Sequence, residues 1–169
     1  MSGAPGAGRP GRSAGASSNN DRAPHLPPPV YLAAAILFML LLDRALPLAR
    51  FRSAWTAGTG AIIAAAGVAL HVRATNHFRR RATTAEALGD ASTLVTDGPY
   101  RRSRNPMYLA GLIMLTGVGL VLGSASPFLV VPLFGWLIWT GYVRREEAML
   151  AERFGEEYDA YRRRVRRWI

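Results

Sequence analysis

Two short polar clusters hold most of the residues in this chain that could do chemistry. Asp97-Gly-Pro-Tyr-Arg-Arg-Ser-Arg-Asn-Pro-Met-Tyr108 lies just before one apolar run, and Arg144-Arg-Glu-Glu147 lies just after the next. Pro106 can open a helix without losing a needed N–H bond. The exposed N–H groups of that first turn then suit a carboxylate or another anion. Gly98-Pro99 marks a turn that can present Tyr100 toward the same place. Glu146 and Glu147 can accept hydrogen bonds from hydroxyl or ammonium groups. An amino-acid-bearing nucleoside such as S-adenosylmethionine offers a carboxylate, an ammonium and a ribose diol to these groups.

Other chemistries are closed by composition. The chain has no cysteine, which removes disulfides, thiolate nucleophiles and Cys-ligated zinc. Its histidines, His25, His71 and His77, show no metal-ligand spacing, so no metal site is expected. All 21 basic residues are Arg and the net charge is +10. These charges flank long apolar runs, so anionic phospholipid headgroups, not nucleic acid, are the expected partner.

The elements that must position the clusters are apolar helices. Residues 1–29 are rich in Gly, Ala, Ser, Pro and Arg, bury almost nothing, and are expected to be a disordered tail. Residues 30–169 form the membrane domain. Its first run is Val30 to Leu42, extending past Asp43-Arg44 to about Ala49; the second is Trp55 to Val72, with small residues at Ala57, Ala61 and Ala65 that allow close helix approach. The third runs from Met107-Tyr108 to Gly123, with Gly119 and Gly123 at the same spacing. The fourth runs from Pro127 to Val143 and carries Trp136, Trp139 and Tyr142 near its far end, as suits a membrane interface. The predicted fold is therefore all-α and polytopic, with about four transmembrane helices. A C-terminal amphipathic helix follows, apolar at Met149, Leu150, Phe154, Tyr158, Tyr161 and Val165. It is expected to lie on the membrane surface or to fold back over the ends of the spans.

Charge placement orients this arrangement. The N-terminal tail, the loop Arg73–Arg104 and the C-terminal tail hold 3, 7 and 8 Arg, against 3 on the other side. The positive-inside rule puts that crowded side, with both termini, in the cytoplasm. The short Gly123–Pro127 turn makes the third and fourth runs an antiparallel hairpin. At 1.5 Å per residue its arms are about 24 and 28 Å long, so Tyr108 and Glu146 end at about the same height. A structural role competes at this point: the arginines as membrane anchors, the glutamates paired with Arg144 and Arg145, and Tyr108 as an interfacial aromatic.

The stretch Ser92-Thr-Leu-Val-Thr-Asp-Gly-Pro-Tyr-Arg-Arg-Ser-Arg-Asn-Pro-Met-Tyr108 resembles the signature of isoprenylcysteine carboxyl methyltransferases and related phospholipid methyltransferases. That signature joins a Leu-Val…Gly-x-Tyr stretch to an Arg-His-Pro-x-Tyr box. A helical hairpin and a Glu-Glu pair follow, here Glu146-Glu147, and Phe154-Gly-Glu-Glu-Tyr158…Tyr161…Val165 resembles the family's last helix. The resemblance covers Ser92–Val165. It implies a cytoplasm-facing S-adenosylmethionine pocket with contacts from Thr93, Leu94, Val95, Tyr100, Asn105, Pro106, Met107, Tyr108 and Glu146. Two departures stand out. Asn105 replaces the box His and cannot take up a proton near neutral pH. Tyr142 offers no counterpart of the Arg that orients the carboxylate substrate in the eukaryotic enzymes.

The implied function is transfer of a methyl group to a lipophilic acceptor from the bilayer, a carboxylate, an amine or a thiol. The donor is already activated, so alignment and desolvation are the protein's main tasks. Arg104, Tyr108 and Glu147 are the candidate catalytic groups, none of them assigned as the base. Two other readings compete: an NADPH-dependent enzyme like the sterol reductases, which are usually much longer, and a non-catalytic membrane scaffold.

Overall fold

The computed structural model describes residues 26–87 and 93–169. The N-terminal tail up to residue 25 and Ser92 of the motif lie outside the described residues. Five helices make up the fold among these residues: α1 Pro28–Ala45, α2 Ala54–Ala87, α3 Pro106–Leu122, α4 Val130–Ile138 and α5 Arg144–Arg164. A 3₁₀ turn at Gly98–Arg101 precedes α3, and another at Ser126–Leu129 precedes α4. A π-helical turn at Trp139–Val143 joins α4 to α5. Three helical stretches are long and apolar enough to cross a membrane: Pro28–Ala45, Ala54–Ala82 and the one within Ser126–Arg164. The 17-residue α3 is apolar but shorter.

Several boundaries differ from the sequence expectation, each for a local reason. The first helix starts two residues early, on Pro28, because proline is at ease in a helix's first turn. It ends at Ala45 rather than Ala49, since Pro47 drives Leu46 out of the helical region. The second helix does not stop at Val72. No Gly or Pro occurs from Val68 to Ala87, so α2 continues, and the expected loop Arg73–Arg104 is helical up to Ala87. At the other end of the molecule, α5 is not a separate surface helix but the unbroken continuation of the fourth run. Gly155, with φ 49° and ψ −121°, then turns the chain. Beyond that turn the last residues lie against those that lead into α3, through Arg104 N–H to Arg166 O and Ser103 O–H to Arg167 O.

The close helix contact also falls on a different stripe. Ala61 and Ala65 are exposed, while Gly60 and Gly67 pack against α3 and Ala74 is buried on the same stripe. Seven-residue spacing keeps these three on one side of α2 as it runs along its partner. Gly119 faces the Phe128 ring, and Gly123 ends α3 instead of packing against another helix. The main core gathers Ala35, Met39, Leu115, Val130, Phe134, Ile138 and Val143 between α1, α3 and α4. Apolar residues such as Trp55 and Ile62 point outward, 87% and 72% exposed, as lipid-facing positions do.

The end holding the α3–α4 turn is tied through both backbone and side chains, with Arg52 donating twice to Leu122 O. Phe51 N–H donates to Gly123 O at 2.9 Å and Ala125 N–H to Leu48 O at 2.8 Å. The buried Ser124 hydroxyl donates to Asp43 at 2.5 Å. The opposite end carries the site.

Candidate functional site

Residues 93–105 hold only one 3₁₀ turn, and α5 with the C-terminal residues after it packs against them. Leu94 is buried among Tyr158, Tyr161 and Val165 of the returning C-terminal stretch, with Leu150 and Phe154 packed around them. The predicted apolar face of α5 is what makes this second core; Met149 alone stays out of it, 61% exposed. The Tyr161 hydroxyl donates to Tyr100 O at 2.7 Å, and Arg104 N–H donates to Arg166 O at 3.0 Å. Ser103, buried, donates from its hydroxyl to Arg167 O at 3.1 Å. The chain after Gly155 therefore lies against the residues that lead into α3.

Asn105 stands at the N-cap position of α3 without a side-chain cap bond, and is buried. Its side-chain amide donates to Arg167 O at a long 3.5 Å, so the Asn at the box's His position takes a hydrogen-bonding role with the C-terminal backbone. Pro106 follows at the first helical position, as expected.

The two clusters meet. Tyr108 O–H donates to Glu146 Oε1 at 2.7 Å, across 38 residues of sequence. Both carboxylates lie beyond the apolar run that ends at Val143, and their surroundings differ. Burial pushes Glu146 above the usual carboxylate value, and the Tyr108 bond only partly opposes it. Burial also acts on Glu147, but the Arg167 bonds and the charges of Arg104 and Arg167 outweigh it and hold that carboxyl low. Arg167 reaches Glu147 with two bonds of 2.9 and 2.8 Å, and Arg104 sits 3.2 Å away. The pairing with Arg144 and Arg145 is thus not the one Glu147 makes. Arg104 also donates to the Tyr158 hydroxyl at 3.3 Å, and its Nε is buried with no hydrogen-bond partner. Burial raises the Tyr161 phenol to about 12, so it stays a neutral donor.

A cavity of about 540 Å³ opens among these groups, a size typical of small-molecule sites. Thr93, Leu94, Val95, Tyr100, Asn105, Pro106, Met107, Tyr108 and Glu146 all line it, and so does Arg104. Glu147 does not line it; it stands behind Arg104 and fixes that guanidinium. Sequence reasoning missed Phe78 and Ala82, which the α2 extension brings to the wall, and Arg153 at the mouth. It also missed Arg167. The unbroken helix-forming stretch after Val72 was a readable signal for Phe78; nothing local to Arg167 announces its partner.

A family model described as phospholipid methyltransferase matches residues 55–157. Over 72 residues, 43% of this chain, the sequence is 36% identical to the Protein-S-isoprenylcysteine O-methyltransferase of Schizosaccharomyces pombe, covering 30% of that protein. A 40% identity over 63 residues takes in the whole of an uncharacterized protein of Haemophilus influenzae and 37% of this chain. The cobalt-zinc-cadmium resistance protein CzcN of Cupriavidus metallidurans is 36% identical over 74 residues, 34% of its length. The match thus spans about a third of the length of the Schizosaccharomyces pombe methyltransferase and of CzcN. No solved structure matches the chain.

Proposed function

The chain belongs to the phospholipid methyltransferase family, and from that premise we propose that this multi-pass membrane methyltransferase uses S-adenosylmethionine to methylate a lipophilic acceptor from the bilayer. One observation carries the reading: a single cavity gathers the motif before α3 and the glutamate after the π turn, joined by the Tyr108–Glu146 bond. The residues present fit the cofactor. The first-turn N–H groups of α3 and the unpartnered Nε of the buried Arg104 are donors for its carboxylate. Glu146 is an acceptor for its ammonium or ribose hydroxyls. Leu94, Val95, Leu150 and Phe154 are an apolar surface for its base.

Bound there, S-adenosylmethionine supplies a methyl group already activated by a sulfonium. The protein's own share is alignment and exclusion of water. Tyr108 orients the Glu146 carboxylate, and Glu147 with Arg167 holds Arg104 at the wall. Asn105, which cannot carry a proton near neutral pH, keeps the entrance to α3 in place. No side chain is assigned as the base, and a carboxylate or thiolate acceptor needs none. Exposed Phe78 and Met149 at the cavity favour an acceptor with an apolar body. The acceptor's reacting group is a carboxylate, an amine or a thiol. Arginine placement supports a cytoplasmic cavity with α3 as a fourth crossing, set among anionic headgroups.

Calorimetry on the detergent-purified protein tests this. S-adenosylmethionine should bind saturably, and Tyr108→Ala and Glu146→Ala should each abolish binding in protein that stays folded. Wild-type protein that does not bind it would remove the reading.

A further inference from the structure

The part of α2 beyond its apolar run has no work to do inside a membrane, yet it stays helical from Arg73 to Ala87. Its residues His77, Phe78 and Arg81 fall within one helical turn of each other and converge on the turn before α3. His77 Nε2 lies 2.7 Å from Asp97 Oδ1, and Arg81 pairs with the other oxygen of the same carboxylate. The Phe78 ring stands 6.2 Å from the Tyr100 ring, centroid to centroid. Between them, Gly98 lies so close under the imidazole that a Cβ there would meet His77 Cε1 at 2.8 Å. Gly98 also has φ +59°, a conformation glycine adopts freely. The turn is therefore gripped on one side by α2 and on the other by the Tyr161 bond to Tyr100 O.

On the methyltransferase reading given above, we infer that His77 is a positioning residue for the cofactor site. Through Asp97 it sets the 93–100 wall that carries Val95 and Tyr100 to the cavity. The His77 bond is the largest influence holding the Asp97 carboxyl below its ordinary value, ahead of Arg81. An isolated exposed polar contact would do little. Here the contact is backed by the close packing of the imidazole on Gly98 and acts on residues that line the cavity, so its loss frees a wall.

A double-mutant cycle read by cofactor affinity tests the inference on the full chain in detergent, with thermal melting as the check on folding. His77→Ala and Asp97→Ala should each weaken S-adenosylmethionine binding by at least about fivefold, the scale of one ordinary hydrogen bond between partly exposed groups. Asp97 also carries Arg81, so the double variant should be no weaker than Asp97→Ala alone. His77→Gln, which keeps a donor at similar reach, should restore binding to within about twofold of wild type. Should His77→Ala fail to fold, His77→Asn, polar but too short to reach Asp97, takes its place. Unchanged affinity in His77→Ala, or losses that multiply in the double variant, would overturn the inference and leave the methyltransferase reading intact. Wild-type protein without affinity would sink that reading first, and the inference with it.

Discussion

Along the α2–α3 seam, glycine brings backbone against backbone. A Cβ on Gly60 would sit 2.7 Å from Gly117 O, and one on Gly117 would sit 2.4 Å from Ala64 N. Where the C-terminal stretch meets the residues entering α3, long side chains bridge the gap instead. Arg167 clasps Glu147, Glu147 faces Arg104, and Tyr161 reaches Tyr100 O. Both seams hold the same small bundle, so the contrast reflects the medium each faces. Between lipid-immersed helices there is little hydrophobic gain from pairing, and close approach supplies the attraction instead. Outside the apolar layer, charged groups can be hydrated or paired, and pairing them fixes geometry around the cavity. The tight seam makes a scaffold; the polar seam makes a site.

The contrast breaks first, and furthest, at Gly117. Gly117→Leu should cost about 3 kcal/mol or more, because the new side chain meets the Ala64 backbone, which cannot yield. Melting in detergent should show the loss, and an unchanged melting temperature would mean that the seam is not tight. On the polar side, Glu147→Ala leaves Arg104, whose side chain is 9% exposed, without its carboxylate. A loss of about 3 kcal/mol is expected, with much of it recovered in an Arg104→Met/Glu147→Leu pair that removes both charges. If the pair is no better than the single change, the ion pair stabilises more than its burial costs. Tyr161→Phe should cost about 1 kcal/mol, the value of one hydrogen bond, and should loosen the Tyr100 turn without touching the α2–α3 seam. Hydrogen exchange at both seams would reveal whether the effect stays local.

Acid offers the mildest probe, since the two adjacent glutamates answer with opposite sign. Glu146 has its folded value raised above 4.5. Protonating it, as pH falls from above that raised value toward 4.5, therefore favours the folded state while removing an acceptor from the cavity. Glu147 is depressed below 4.5, so its contribution is complete above that pH and is lost as pH falls through the lower folded value. Stability should accordingly rise slightly and then fall on acidification, while cofactor affinity drops throughout. Glu146→Gln should flatten the first phase of the melting curve and keep the second. A single monotonic decline in wild-type stability would contradict the assignment.

Much of the site could be read before any coordinates. The hairpin length between Tyr108 and Glu146 put them at one height, and they lie in hydrogen-bond contact. The motif residues from Thr93 to Tyr108 that the family resemblance singled out line one cavity. Hydropathy alone ends α2 at Val72, where the apolar residues stop, whereas the helix runs to Ala87. Helix propensity recognises no such boundary, and Arg73 to Ala87 are adequate helix formers. The stripe Ala57, Ala61, Ala65 was chosen on residue size alone, whereas the partner helix selects Gly60 and Gly67.

Composition and periodicity settled the all-α membrane character, the order of the apolar runs and the segments where chemistry would gather, because these follow from transfer free energies and helical spacing along one chain. The tertiary structure alone decided that Arg167 holds Glu147, that His77 and Phe78 support the turn at Gly98, and that α5 continues the fourth run before doubling back. Those contacts join segments about 20 residues apart or more. They depend on the angle taken at Gly155 and on the rotation of α2 against α3, and neither angle is encoded in any local stretch of residues.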